Sequence, residues 1–158
     1  MNLSDKAEYL LGHYSRLYEN SMYDLPIVNK ALRVQLVDFF PWSDSLLGVL
    51  ITPWFMNLVL IPKVSHERFQ SGKTVRINIS GSEFMFLANN DDTIGLYLSS
   101  SLYSPMFEYK TQQQAVATAS AIMQKIKNHA SGAKPPGEKV SRRDFLRIFN
   151  DGQSKTGI

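Results

Sequence analysis

Gly48-Val-Leu-Ile-Thr-Pro-Trp-Phe-Met-Asn-Leu-Val-Leu-Ile-Pro62 decides the fold of this chain. No charged residue occurs from Ser45 to Pro62, and the apolar run is broken once, at Thr52-Pro53. A membrane-spanning helix needs about 20 consecutive apolar residues, which is longer than this run. A proline at its centre would also break the helical hydrogen-bond ladder. Two buried strands, Leu46–Ile51 and Met56–Ile61, joined by a Thr-Pro-Trp-Phe turn, satisfy the pattern. This hairpin is expected at the middle of a sheet.

Upstream of the hairpin, residues 4–20 read as a helix. Ser4 is the expected N-cap, with Asp5 and Glu8 in the first turn, where the helix dipole favours acids. Ala7, Leu10, Leu11, Tyr14, Leu17 and Tyr18 recur at i, i+3, i+4 spacing and form one packing face. Pro26 biases Leu25 away from helix, so the segment from Asn20 to Asn29 is a loop. Leu32, Val34 and Leu36 alternate with polar residues as a half-buried strand ending near Asp38, and Pro41 to Asp44 turn it into the hairpin.

Downstream, a polar loop at 63–73 carries His66. Thr74–Ile79, Glu83–Leu87 and Ile94–Tyr103 read as strands separated by Ser80-Gly81 and Asn89-Asn-Asp-Asp92 turns. Thr111 to Gln114 opens a second long helix as a capping box, with Val116, Ala119, Ile122, Met123 and Ile126 as its buried stripe. Strands that follow one another through short turns pair antiparallel. The expected fold is α+β: a two-layer sandwich with a mostly antiparallel five- to six-stranded sheet and the N- and C-terminal helices packed on one face. Residues 1–130 form a single domain, 131–140 a linker, and 141–158 a basic C-terminal tail with a short helix.

The 158 residues are 44% hydrophobic and contain no cysteine. A core of ordinary size is therefore available, and disulfides, thiolate metal sites and a cysteine nucleophile are excluded within this chain. The opening Met-Asn-Leu-Ser-Asp-Lys-Ala-Glu is acidic and amphipathic, unlike an export signal. The formal net charge is +3. Residues 1–130 hold eleven Lys/Arg against eleven Asp/Glu, and the remainder holds six against three. A basic tail on a neutral body argues against nucleic-acid binding, which calls for a basic face.

Catalytic patterns are missing. His13, His66 and His129 fall in three different elements with no metal-ligand spacing. No phosphate-binding glycine loop or nucleophile elbow occurs. The expectation is a non-enzyme without metal or cofactor. Apolar, polarizable residues cluster instead at loops: Met22-Tyr23, Trp54-Phe55-Met56 and Met106-Phe107. Such residues serve either the core or an adaptable binding surface. Asp24 can brace a turn or stand as an exposed acid for a basic partner.

The tail contains Ser141-Arg-Arg-Asp-Phe-Leu-Arg147. Locally it is an S-x-x-D helix start with a small apolar face. It is also similar to the twin-arginine export motif, at the wrong end of the chain and without an apolar run after it.

Four strings occur together in order: Met22-Tyr-Asp-Leu-Pro-Ile-Val-Asn29, Gly48 to Asn57, Tyr97-Leu-Ser-Ser-Ser-Leu-Tyr-Ser-Pro-Met106, and Ser141 to Arg147. With them the chain resembles the NiFe-hydrogenase assembly chaperones of the HybE/HupJ type, from Met22 to Arg147. Some relatives carry Cys where this chain has Ser100. The resemblance implies an α+β sandwich and a cytoplasmic maturation chaperone. Such a chaperone holds the hydrogenase small-subunit precursor through its twin-arginine signal peptide until cofactor insertion and subunit pairing are complete. The large subunit and other maturation proteins are further partners; neither nucleic acid nor membrane insertion is expected. A scaffold that binds folded subunits or maturation factors without reading the signal peptide is the alternative.

A signal peptide presents an arginine pair followed by an apolar run. Its binder needs carboxylate acceptors and an apolar groove. Asp24, Asp38 and Glu108 are the acids nearest the motifs. Met22, Pro53, Trp54, Phe55, Met56, Met106 and Phe107 are the expected groove residues. Ser141, Arg142, Arg143, Phe145 and Leu146 form either a tethered pseudo-signal that competes for the groove or a packed docking helix.

Overall fold

A computed structural model describes residues 1–63, 70–131 and 140–141. The order is α1 (Leu3–Leu17), a π-helical turn (Tyr18–Met22), β1 (Gln35–Trp42), β2 (Ser45–Thr52), β3 (Phe55–Pro62), β4 (Thr74–Ile79), β5 (Ser82–Asp91), β6 (Gly95–Tyr103), α2 (Gln112–Ser131) and β7 (Val140–Ser141). Six strands pair antiparallel in the order β1-β2-β3-β6-β5-β4, and β7 joins β5 in parallel. The fold is α+β, and the β2–β3 hairpin lies inside the sheet, with β1 and β6 on its two edges. Its register runs from Ser45↔Pro62 to Thr52↔Phe55. The Pro53-Trp54 turn is closed by the buried Thr52 hydroxyl, which accepts from the Trp54 and Phe55 amides at 3.2 and 3.0 Å.

The helices lie on opposite faces of this sheet, which corrects the expectation of one shared face and two layers. Leu47, Val49 and Ile51 of β2 pack with Ala115, Ala119, Ile122, Met123 and Ile126 of α2. The alternate residues Leu46 and Leu50 pack with Ala7 and Leu10 of α1. Successive side chains of a strand point to opposite faces, so one helix covers each side. The unbroken apolar runs of β2 and β3 required it, because a strand with one solvated face alternates polar and apolar residues. β5 does alternate: Ser82, Phe84, Phe86 and Ala88 are buried toward α2, while Glu83, Met85 and Leu87 are exposed. α1 packs mainly on β1, β2 and β3, and reaches the far ends of β5 and β6 through Tyr9, which donates to Asp91, and Tyr14, which shares a hydrogen bond with Tyr97.

Local chemistry shifts several boundaries. Asn2, not Ser4, caps α1: its side chain accepts from the Asp5 amide at 2.8 Å, and Asp5 returns a capping-box bond. β1 begins at Gln35 and includes Pro41 and Trp42, so Leu32 and Val34 lie ahead of it and the turn shrinks to Ser43-Asp44. At the start of α2 the Gln114 amide donates to the Thr111 hydroxyl at 3.2 Å, while the Gln114 side chain accepts from the Lys110 amide at 2.7 Å, one residue earlier than a capping box places it. Val140 and Ser141 form a two-residue strand, and the short helix expected after Ser141 falls outside the described residues. His66, most of the linker (132–139) and the tail beyond Ser141 lie outside the described residues.

β1 carries a bulge between Val37 and Phe40, where Asp38 adopts a left-handed φ of 52°. The bulge lays the Phe39 ring over Gly48, and a Cβ built on Gly48 would lie 2.1 Å from that ring. Gly48→Ala is therefore expected to destabilise the fold by about 1–3 kcal/mol through overpacking. Denaturant unfolding reads it, and Phe39→Leu in the Gly48→Ala background should recover part of the loss.

Candidate functional site

Three loops meet at the end of the sheet where the β2–β3 turn lies. Asn29 holds them together. Its backbone amide donates to the Pro53 carbonyl at 2.8 Å, and its side-chain amide donates to the carbonyls of Met106 and Tyr109 at 3.0 and 2.7 Å. One residue thus joins the 23–29 segment, the 52–55 turn and the 104–109 loop, where the Ser104–Pro105 peptide is cis. Ser104 adds a long hydroxyl bond of 3.5 Å to the Trp54 carbonyl.

An aromatic series braces the same end. Trp54 stacks on Tyr18 with centroids 6.2 Å apart and meets Phe55 edge-on at 5.6 Å. Phe55 meets Tyr14 of α1 at 5.6 Å, and Tyr18 contacts Tyr23 at 5.6 Å. The π-helical turn carries Tyr18 and leads the chain into Tyr23, whose ring lies under the Lys30 ammonium at 4.3 Å. Burial, together with the neighbouring Tyr23, raises the Tyr18 hydroxyl above its ordinary range.

Among the described residues seven large apolar side chains are exposed, and four of them lie on two neighbouring turns here: Tyr23, Leu25, Ile27 and Phe107, each between 43 and 55% exposed. Asp24 stands exposed between Tyr23 and Leu25. Glu108 follows Phe107, and partial burial raises its carboxyl above the ordinary value. An apolar surface edged by two acids suits a basic, apolar ligand segment.

The structure separates the residues singled out from the sequence. Trp54 and Phe55 are half-buried, Phe107 and Glu108 exposed, and Met22 half-buried in the π-helical turn. Met56 and Met106 are wholly buried in the α2-side core, and Pro53 is buried beneath the turn. These three support the surface from below; they do not line it. The cause is register: Met56 lies opposite Ile51 and shares its α2-facing side. Asp38 lies on the β1 bulge, about 10 Å along the strands from the turn at ordinary strand rise, and is not gathered with Asp24 and Glu108. Arg142, Arg143, Phe145 and Leu146 lie outside the described residues, and Ser141 is in β7. Sequence reasoning missed Leu25, Ile27 and Asn29. The available signal was the pair of apolar residues flanking Pro26 in a loop too short to bury both.

Among the described residues no cluster of three or more His, Cys, Asp or Glu could hold a metal ion. None of the described helices is long and apolar enough to cross a membrane.

The sequence profile of the NiFe-hydrogenase assembly chaperone HybE matches residues 5–148. The hydrogenase expression/formation protein HupJ of Bradyrhizobium diazoefficiens is 36% identical over 147 residues, covering 89% of this chain and 86% of its own. Protein HoxT of Cupriavidus necator is 32% identical over 157 residues, covering 90% and 88%. The solution structure of HybE from Escherichia coli superposes with a TM-score of 0.60 at 18% identity, over 85% of this chain and 90% of that one, a likeness of fold. The chain belongs to the HybE family of NiFe-hydrogenase assembly chaperones.

Proposed function

We propose that this chaperone binds the precursor of the hydrogenase small subunit through its twin-arginine signal peptide, in the cytoplasm, and delays its export until cofactor insertion and subunit pairing are complete. The observation that carries this reading is the exposed apolar surface of Tyr23, Leu25, Ile27 and Phe107, edged by Asp24 and Glu108. A leader needs both an apolar seat for its run and carboxylate acceptors for its guanidinium groups. The half-buried Trp54 and Phe55 fix the shape of the seat, and Asn29 keeps its loops in place. Residues 1–130 act as the binding domain, 131–140 as a linker and 141–158 as a basic tail that bears on client exchange. No catalytic step is part of this role.

The first test is a titration of a labelled small-subunit signal peptide, read by anisotropy. Saturable binding is expected, weakened by Arg→Lys in the peptide, since lysine cannot form the bidentate fork. Ile27→Glu or Phe107→Glu should abolish binding with little loss of stability, because both side chains are exposed. Asn29→Ala should weaken it by loosening the loops. Absence of binding at high micromolar peptide, with tight binding of a leaderless small subunit, overturns the leader reading in favour of a scaffold for folded subunits.

Acidification gives a second check. The raised Glu108 carboxyl takes up its proton at a higher pH than an ordinary glutamate. Glu108 is ionised and attractive above its pKa and neutral below it, so leader affinity should fall as pH drops through that value. Glu108→Gln should flatten this limb of the pH profile.

A further inference from the structure

The two edges of the sheet differ. β1 ends it on one side and, among the described residues, β4 ends it on the other. An unpaired edge offers a row of backbone donors and acceptors to any strand that fits, and folded proteins blunt such edges. β1 is blunted. Its register breaks between Val37 and Phe40, Asp38 turns left-handed there, and Pro41 has no amide to donate.

β4 carries none of these devices. Thr74-Val-Arg-Ile-Asn-Ile79 contains no proline and pairs with β5 without a register shift. Ile79 and Ser82 close the two-residue Ser80-Gly81 turn and so form a hydrogen-bonded pair. Bonded and non-bonded pairs alternate along an antiparallel ladder, so Ile79, Ile77 and Val75 direct their backbone groups to β5. Thr74, Arg76 and Asn78 direct theirs off the free edge. Val75 and Ile77, on the α2 side, are only half-buried, whereas Ile79 is fully buried. The edge thus leaves both backbone groups and apolar side-chain surface unfinished.

A second copy of this chain supplies a strand that fits. Antiparallel pairing of β4 with itself about a two-fold axis keeps each face of the sheet continuous only when the axis passes through one residue. An axis at Arg76 sets two guanidinium groups directly opposite each other, which is destabilising. An axis at Val75 sets the Lys73 ammonium against Ile77 on the apolar side. An axis at Ile77 sets Ile77 against Ile77, and Arg76 against Asn78 of the second copy. Arg76 and Asn78 are residues whose backbone groups face outward, so this register forms four interchain hydrogen bonds.

The charges on the opposite face complement each other in the same register. Glu83 of β5 lies across from Asn78, so the row runs Glu83, Asn78, then Arg76 of the second copy. Glu83 and Arg76 are both exposed. Two strand spacings, about 10 Å, separate Glu83 from that arginine, and the two long side chains reach across Asn78. The two-fold axis makes this pair twice.

We propose that the chain forms a homodimer by antiparallel addition of β4 to β4 of a second copy, with Ile77 at the two-fold axis and an Arg76–Glu83 pair on either side of it. A single strand pair is a contact of the small, transient class, so monomer and dimer exchange reversibly. None of the loop-end residues lies on β4 or β5, and a dimer therefore carries two loop-end surfaces.

Sedimentation velocity of the full chain, from low micromolar to millimolar concentration, tests this. The mass is expected to rise from 17.9 kDa toward twice that value. Hydrogen exchange should slow at the Arg76 and Asn78 amides as the dimer fills and stay unchanged at Val75 and Ile77, which already bond to β5. Arg76→Pro removes an outward amide at no cost to the β4–β5 ladder and should hold the chain monomeric. Arg76→Glu and Glu83→Arg should each weaken the dimer about tenfold by placing like charges across the interface. The Arg76→Glu, Glu83→Arg double variant restores opposite charges and should recover most of the affinity. A chain that stays monomeric at millimolar concentration overturns the proposal, as does a dimer that Arg76→Pro leaves unchanged. A double variant no tighter than the single ones overturns the Ile77 register.

Discussion

Burial of the β2–β3 hairpin on both faces is the constraint on which the rest of the structure depends. Its Leu, Ile, Val and Met side chains are almost fully withdrawn from water, at about 1.5–3 kcal/mol for each large one. No single layer can do this. α2 covers one side and α1 the other, while β1 and β6 complete the backbone hydrogen bonding of its two edges. The same demand divides β6 between two partners. β6 emerges from the β4–β5 meander already paired with β5, but it must also complete the edge of β3. Leu98 and Ser99 serve both neighbours, opposite Leu60 and Val59 on one side and Ala88 and Leu87 on the other. Beyond Ser99 the strand follows β3 alone. Completing the central hairpin draws β6 away from β5, and among the described residues β7 meets the edge it leaves at Ser82 and Glu83.

Much of this was legible in the residues because strand patterns are local. The Thr52-Pro53 break, the Ser80-Gly81 turn and the α2 stripe are each set by a few neighbouring side chains. Ser80 and Gly81 have φ of 55° and 89°, the double positive that a two-residue type I′ hairpin turn requires. The relative placement of the helices was carried by a subtler feature, the failure of β2 and β3 to alternate. That absence marks a strand covered twice, and apolar depth alone does not distinguish it from a strand covered once. α1 and α2 each have one apolar face, so each looks like half of a two-layer design when taken alone.

The candidate site was legible in its strings and less so in its atoms. Met22–Asn29, Gly48–Asn57 and Tyr97–Met106 converge at the loop end, as strings that serve one surface should. Within them, composition could not separate seat from support. Met56 and Phe55 are neighbours, yet strand alternation sends Met56 into the α2-side core and leaves Phe55 half-buried beside Tyr14. Asn29 could not be recognised because its partners are carbonyls 77 and 80 residues away. Asp38 drew notice as an acid, whereas its position follows from a bulge that needs a residue tolerant of positive φ.

Buried and exposed parts of the loop end divide a chaperone's two requirements. A surface that recognises one kind of client must hold its shape before the client arrives, since ordering it on binding subtracts from affinity. Buried Pro53, Met56 and Met106, with Asn29 pinning three backbones, supply that order from beneath. Under the proposed reading the surface must also release the client, which agrees with its few apolar residues, separated by Asp24 and by Glu108 at the edge. Four exposed side chains on two turns form a small contact of the size expected for a transient encounter.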